Sequence, residues 1–327
     1  MYCMHRITGA LLATATLFIA GIQPAAAQSY PERPIRLIVP FPPGGGTDSI
    51  AREAANKVAS TNGWNIVTEN RPGAGGNLGI DAVAKAPADG YTIGLGQTSN
   101  LAINPTLYSS LPYDPETDLV PIGQVASAPL VLVVSTESPY KTIEEILAFA
   151  RENPTELDYA TSGNGTVAHL TVEQLQKLAG IQFTHIPYKG AAQGANDLIG
   201  GQVDMYMSSV PTLIGHIRNG KMRAIAVTSL NRTDDLPDVP TLAESGFPGF
   251  EAVTWFGLVG PKGMPPEAVQ KLNTAFNAAL QAEDVRAKYA TQGAEASPGT
   301  AEAFGELIRT EKARWGQIVK DAGARVD

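Results

Sequence analysis

The segment Ile35-Arg36-Leu37-Ile38-Val39-Pro40-Phe41-Pro42-Pro43-Gly44-Gly45-Gly46-Thr47-Asp48 starts as a strand and ends as a helix. Residues 35–39 form a short apolar, β-branched run, which predicts a buried strand. Two prolines and three glycines break the run, and Thr47 can cap a helix reaching about residue 60. The alternation continues outward. Residues 64–68 predict a second strand, Asn77 opens a helix to about residue 86 after the glycine-rich 72–76, and residues 91–95 predict a third strand. A β-α-β-α-β order implies a parallel sheet with right-handed crossovers.

A second block begins near Ala128. Strands are predicted at 130–134, 157–161, 183–186, 203–207 and 224–227. Helices are predicted at 142–151, where Thr142 and Glu145 have capping-box spacing, and at 167–178, 191–200 and 211–219. After a polar, proline-containing loop at 231–240, residues 253–259 predict a strand. Pro266 suits the first turn of a helix to about residue 281, and Thr300 opens a last helix with Phe304, Leu307, Ile308, Trp315, Ile318 and Val319 on one face. Two α/β blocks without a flexible joint predict an α/β chain of two lobes with a cleft between them. Residues 28–127 plus 254–327 would form lobe 1 and residues 128–253 lobe 2. Pockets in such folds lie beyond the carboxyl ends of the strands.

The chain has 327 residues, 43% of them apolar and 17% charged, a globular composition with room for about two domains. The net charge of −8 argues against nucleic acid as a partner. Residues 1–27 read as a secretory signal peptide: Arg6 near the start, an apolar middle too short to span a bilayer, and small residues at Ala25 and Ala27. Cleavage is expected after Ala27. It removes Arg6 and shifts the charge from −8 to −9. It also removes Cys3, the one cysteine, which excludes a disulfide, a thiolate nucleophile or a zinc–thiolate site in the mature chain.

Two strand-to-helix loops carry the candidate chemistry. In 41–48 and in Thr161-Ser162-Gly163-Asn164-Gly165-Thr166, glycines let a ligand approach the N–H groups of a helix start, where the dipole favours negative charge. The plain alternative is a tight βα turn with a capping side chain. One such loop per block, facing each other across a cleft, would suit a carboxylate. A triphosphate is disfavoured because no P-loop lysine follows. Gly163-Asn164-Gly165-Thr166-Val167-Ala168 matches G-x-G-x-x-A, but no ribose-binding acid follows the next strand, and no cofactor is expected. His169, His185 and His216 are widely spaced and predict no metal site; His169 is read as a packed helix residue beside the second loop. Ser162 lacks a nucleophile elbow, so no catalytic residue is predicted. Asp204, ahead of a strand, is either a turn cap or a holder of ligand or ordered water. Arg71 and Lys189 sit beside turns and read as surface ion pairs or loop braces.

Taken in order, several motifs resemble one family. They are Tyr30-Pro31-Glu32-Arg33-Pro34-Ile35-Arg36, Val39 to Asp48, Glu69-Asn70-Arg71-Pro72-Gly73-Ala74-Gly75-Gly76-Asn77 and Ala86-Pro87-Ala88-Asp89-Gly90-Tyr91-Thr92. Ile186-Pro187-Tyr188-Lys189-Gly190 and Asp197-Leu198-Ile199-Gly200-Gly201-Gln202-Val203-Asp204 complete the set. The chain is similar, over essentially its whole mature length, to the periplasmic solute-binding component of tripartite tricarboxylate transporters, the Bordetella uptake gene (Bug) family. The resemblance implies a two-lobed periplasmic binding protein fold, type II-like with a double hinge. It implies delivery of a small carboxylate to an inner-membrane permease: a di- or tricarboxylate, an acidic amino acid or an aromatic acid. A monomer is expected. It also implies ligand contacts from Phe41, Gly44, Gly45, Gly46, Thr47 and Asp48, and from the turn Gln97-Thr98-Ser99-Asn100 after the third strand, through Thr98 and Ser99. From the other lobe it implies Ser162, Gly163, Gly165, Thr166, Tyr188 and Asp204. Pro43 departs from the alanine common at that position, and a second proline should stiffen the loop. A ligand sensor for a signalling receptor and an exported hydrolase are the alternative functions.

Overall fold

The computed structural model describes residues 30–326; the expected signal peptide, Cys3 and the expected cleavage site lie outside the described residues. The opening segment folds as its pattern predicts. Ile35–Val39 is strand β1, buried at every position but Arg36, and Gly46–Asn62 is helix α1. The helix starts one residue before Thr47, with Gly45 as its N-cap and no capping side chain, so Thr47 is not the cap. The strands Ile66–Asn70 (β2) and Thr92–Gln97 (β3) flank β1, both parallel to it, with helix Asn77–Ala84 (α2) between them in sequence. A π-type turn at Ser99–Ile103 leads into the short helix Asn104–Leu107 (α3).

The next strand was only half foreseen. β4 runs from Leu119 to Ser135, 17 residues, where the pattern predicted only 130–134. Pro121, Gly123 and Pro129 hide the first half, because proline cannot donate to a ladder and glycine packs nothing. The structure accommodates two of them with register shifts between Pro121 and Gly123 and between Gln124 and Ala126. The first half of β4 pairs antiparallel with Val253–Pro261 (β9), from Leu119 opposite Pro261 to Pro129 opposite Val253. The second half pairs antiparallel with Met205–Ser209 (β7) and Met222–Val227 (β8). β7 continues in parallel to Asp158–Thr161 (β5), and β5 to Thr184–Pro187 (β6).

The strand order is therefore β2-β1-β3-β9-β4-β7-β5-β6, with β8 and the two-residue strand Glu295–Ala296 (β10) also on β4. Ile143–Glu152 (α4) carries the predicted capping box between Thr142 and Glu145. Val167–Ala179 (α5), Ala191–Ile199 (α6) and Val210–Arg218 (α7) complete the second lobe. Pro266–Gln281 (α8) and Glu283–Thr291 (α9) return to the first. α9 escaped the sequence reading because it buries only Val285 and Tyr289, too few for a clear apolar stripe. Ala301–Ala322 (α10) buries Phe304, Ile308, Trp315 and Val319; its Glu311 accepts the indole N–H groups of Trp315 (3.0 Å) and of Trp255 on β9 (3.2 Å).

The chain crosses between lobes where β4 and β9 lie side by side, and Thr228, fully buried, holds that crossing. Its hydroxyl accepts from the Leu130 N–H at 2.9 Å and donates to the Ala252 carbonyl at 2.5 Å. Thr228→Val keeps the shape and leaves those backbone groups without their partner. We expect it to lower stability by about 1–3 kcal/mol, read as a lower urea midpoint, while Thr228→Ser retains most of the wild-type value.

Candidate functional site

A cavity of about 250 Å³ lies against this crossing, with Leu130 of β4 and Thr254 of β9 in its wall. Four helix starts reach it. α1 contributes Gly45, Gly46 and Thr47; α5 contributes Thr166, Val167 and Ala168; α6 contributes Gly190, Ala191 and Ala192; α7 contributes Ser209 and Thr212. The cause is topological. β1, β5, β6 and β7 each lead into one of these helices, β7 directly and the others through the loops that line the cavity. Exposed N–H groups and the positive ends of four dipoles therefore face one small volume, a setting that favours an anion. The lobes touch across it, the Gly46 N–H lying 3.3 Å from Thr212 Oγ1.

The first loop is held by a buried charge. Asp48 is 5% exposed and accepts the Gly44 N–H (3.0 Å), Arg52 Nε (2.9 Å) and Asn70 Nδ2 (2.9 Å), while Asn70 also donates to the Phe41 carbonyl. Burial raises the Asp48 pKa, but the bonds from Arg52, Asn70 and Gly44 outweigh it and hold the carboxyl below its ordinary range. Asp48 and Gly44 thus shape the loop from behind, while Phe41, Gly45, Gly46 and Thr47 line the cavity. Thr47 donates to Gln97 Oε1 (3.1 Å), and Gln97 donates to Ser99 Oγ (3.1 Å), which fixes the Gln97 amide in the cavity wall. Thr98 and Ser99 stand outside that wall. The Thr98 hydroxyl accepts from Trp255 N on β9 at 3.0 Å, so both residues position others.

The second loop is held by neutral rings. Thr161 Oγ1 lies 2.8 Å from His185 Nε2 and donates to the Gly163 carbonyl; Thr166 Oγ1 donates to the same carbonyl and caps α5 at His169 N. Gly165 N–H points at His169 Nδ1 (3.4 Å), and the Gly163 N–H at Thr161 Oγ1 (3.3 Å). The N–H groups of Gly44, Gly163 and Gly165, expected to hold ligand, are therefore committed within the protein. Ser162 and Thr166 reach the cavity.

Phe41, Pro42, Ser162 and Lys189 also border an outer chamber of about 500 Å³, lined further by Gly163, Tyr188, Tyr108 and the 73–76 backbone. Tyr188 faces this chamber, with its hydroxyl on Asp197 at 2.7 Å and its pKa pushed up to about 12 by burial and that carboxylate. Asp204 lies elsewhere. It precedes β7, whose far end, Ser209, is the one at the cavity, and its carboxylate accepts the Asp158 N–H at 2.9 Å. Five strand residues span roughly 16 Å, so Asp204 caps the wrong end of the sheet to meet a ligand in this cavity. Arg71 pairs with Glu69 at 2.6 Å, as a surface brace should.

Ser208, Ser209, Thr212, Thr254 and the first turn of α6 at 191–193 are cavity residues that sequence reasoning did not single out, whereas Gln97 lies in the turn that the family resemblance implied. Local signals existed, since Ser209-Val210-Pro211 is a helix start with proline in its first turn. Their convergence depends on strand order, which no local pattern carries. Among the described residues no cluster suits a metal ion, and no helix is long and apolar enough to cross a membrane.

His169 and His185 stack at 4.3 Å, and His185 also stacks on Tyr159 at 4.6 Å. Glu173 is the acid beside them, 3.9 Å from His169 Nε2 and accepting the Tyr159 hydroxyl. Burial lowers the His169 pKa despite Glu173; burial and the neighbouring His169 bring His185 to about 3. Unfolded histidine titrates near 6.5. Stability is therefore complete above about pH 6.5 and falls as pH drops from there towards the native pKa values, by at most about 1.4 kcal/mol per pH unit for each ring. Urea midpoints between pH 7.5 and 4 should show this fall, and His185→Gln should flatten it.

Residues 50–324 match the family described as TctC, tripartite tricarboxylate transporter family receptor. Protein BugT of Bordetella pertussis is 41% identical over 320 residues, which span 97% of this chain and 98% of BugT. A Rhodopseudomonas palustris protein solved with adipate superposes with a TM-score of 0.88 at 36% identity, covering 91% of this chain and all 100% of that one. MatC of the same organism, solved with bound malate, gives 0.84 at 32% identity, covering 89% and 100%. Four strands that deliver their helix starts to one cavity between two lobes are thus the frame of a known receptor type, and the chain belongs to the tripartite tricarboxylate transporter receptors, the Bug family of periplasmic binding proteins.

Proposed function

We propose that this chain is a periplasmic solute-binding protein that captures a small carboxylate between its lobes and presents it to the inner-membrane permease of a tripartite tricarboxylate transporter. The observation that carries the reading is the meeting of four helix N-termini at a cavity with no acidic side chain in its lining. Such a wall favours an anion and gives it several neutral donors at once. Adipate and malate, bound by the two related structures, set the substrate class to try first. In this reading the chain is exported, loses residues 1–27 and acts as a monomer. Residues 28–127 with 254–327 form one lobe, and residues 128–253 the other. β4 supports that division, since Pro129 is its last residue paired with β9 and Leu130 its first paired with β7. The protein acts by binding, without turnover.

Calorimetry on residues 28–327, refolded free of cargo, tests the reading against malate, adipate and related acids. A ligand at 100 times its Kd should add about 2.7 kcal/mol of stability. Silence across the panel after refolding would overturn the carboxylate assignment. Gly45→Val places a branched side chain at the cavity wall, where the first Cβ has room, its nearest neighbours being 4.0 Å away. We expect more than about a tenfold loss of affinity, equal to about 1.4 kcal/mol, with an unchanged urea midpoint. Asp204→Asn should leave affinity unaltered.

A further inference from the structure

Lys189 stands apart from the other groups around the cleft. It is the one charged side chain, among the described residues, that lines the inner cavity, and also the one that lines the outer chamber. Its ammonium has no hydrogen-bond or ion-pair partner among the described residues. Arg71, the other cation placed beside a turn, is committed to Glu69. A lone cation at the boundary of two chambers without an acid is a marked feature in a mature chain of net charge −9 (−8 less Arg6).

The backbone that presents it is pinned. Tyr188 N donates to the Thr161 carbonyl at 3.0 Å, and the Tyr188 hydroxyl is fixed on Asp197. On the other side, Gly190 lies so close to the opposing loop that a Cβ there would stand 2.8 Å from Pro42 Cγ. Only the Lys189 side chain is left free, at the rim where Phe41, Pro42 and Ser162 also border both chambers. The helix starts supply neutral donors to a first carboxylate, and they gain little from a second charge farther out. Lys189 supplies what they lack.

We propose that Lys189 determines specificity for ligands with two acid groups: its ammonium receives the outer carboxylate while the helix starts hold the inner one. This rests on the carboxylate-binding reading above and names the class within it. The side chain is exposed, so the pair is partly screened, and its contribution is that of one moderate charge-assisted contact. A single-acid ligand of the same length gains nothing from it.

The test measures affinities of adipate against hexanoate, and of succinate against butyrate, by calorimetry on the refolded chain from residue 28. Three proteins are compared: wild type, Lys189→Gln and Lys189→Arg. The expected result is a fall of about 5- to 10-fold for the diacids in Lys189→Gln, no change for the monoacids, and near-wild-type values in Lys189→Arg. Diacid affinity in wild type should also weaken with added salt more steeply than in Lys189→Gln. Equal losses for both acid classes, or no loss in Lys189→Gln, would overturn the assignment and leave the carboxylate reading intact. If wild type binds none of the four acids, the carboxylate reading fails first and this assignment with it.

Discussion

The structure depends on one strand being shared by two sheets. β4 ends its pairing with β9 at Pro129 and begins its pairing with β7 at Leu130. Thr228 binds Leu130 and Ala252 at that step, joining the outgoing and the returning chain. Because the crossing strands are antiparallel while β1 and β3, and β5, β6 and β7, run parallel within their own sheets, the carboxyl ends of both parallel sets meet at the crossing. The cleft is where the fold must put a ligand. Ile50 and Leu95 belong to one apolar cluster and Leu213 and Tyr206 to another, while a third, holding Ile38 and Leu101 together with Leu132 and Leu170, runs through the crossing and ties the lobes together.

Apart from Lys189 at the rim, the site separates charge from contact. Asp48 and Arg52 form a buried and half-exposed ion pair that stiffens the first loop, yet neither lines the cavity. Gln97, Thr47, Ser162, Thr166, Ser209 and Thr212 present neutral dipoles instead. Preorganised neutral donors suit a transport receptor. They bind a carboxylate without desolvating a fixed cation, whose cost on burial can exceed the Coulomb gain.

The segments with strong local patterns were legible in sequence. Ile35–Val39, Thr142 with Glu145, and Pro266–Gln281 fold as their spacing requires, because each signal is read within one turn or one strand. The first half of β4 was not legible, since Pro121 and Gly123 argue against a strand that tertiary pairing nevertheless imposes. In the site, both glycine loops were identified, but the direction of each N–H was not. Gly44 and Gly165 turn theirs inward because Asp48 and His169 happen to face them, a relation set by packing. Asp204 left two readings open for a similar reason: its sequence position beside a strand does not say which end of the sheet faces the cleft, and its carboxylate caps the Asp158 N–H.

The two loops are braced by opposite means, and the difference bears on how the cleft behaves. The first leans on a carboxylate whose pKa its partners hold down, so acid reaches it late. The second leans on two stacked rings that must stay neutral, because Nδ1 of His169 faces an N–H donor and His185 lies against it. A proton on His169 Nδ1 turns an acceptor into a second donor, and protons on both rings set like charges 4.3 Å apart. Glu173 offsets part of that repulsion from one side only, at 3.9 Å. The second loop is therefore the one whose bracing rings oppose protonation as the pH falls below about 6.5. The loop built on Asp48 keeps its carboxylate charged to lower pH, because Arg52, Asn70 and Gly44 hold that charge in place, so the two loops answer acid by different chemistry.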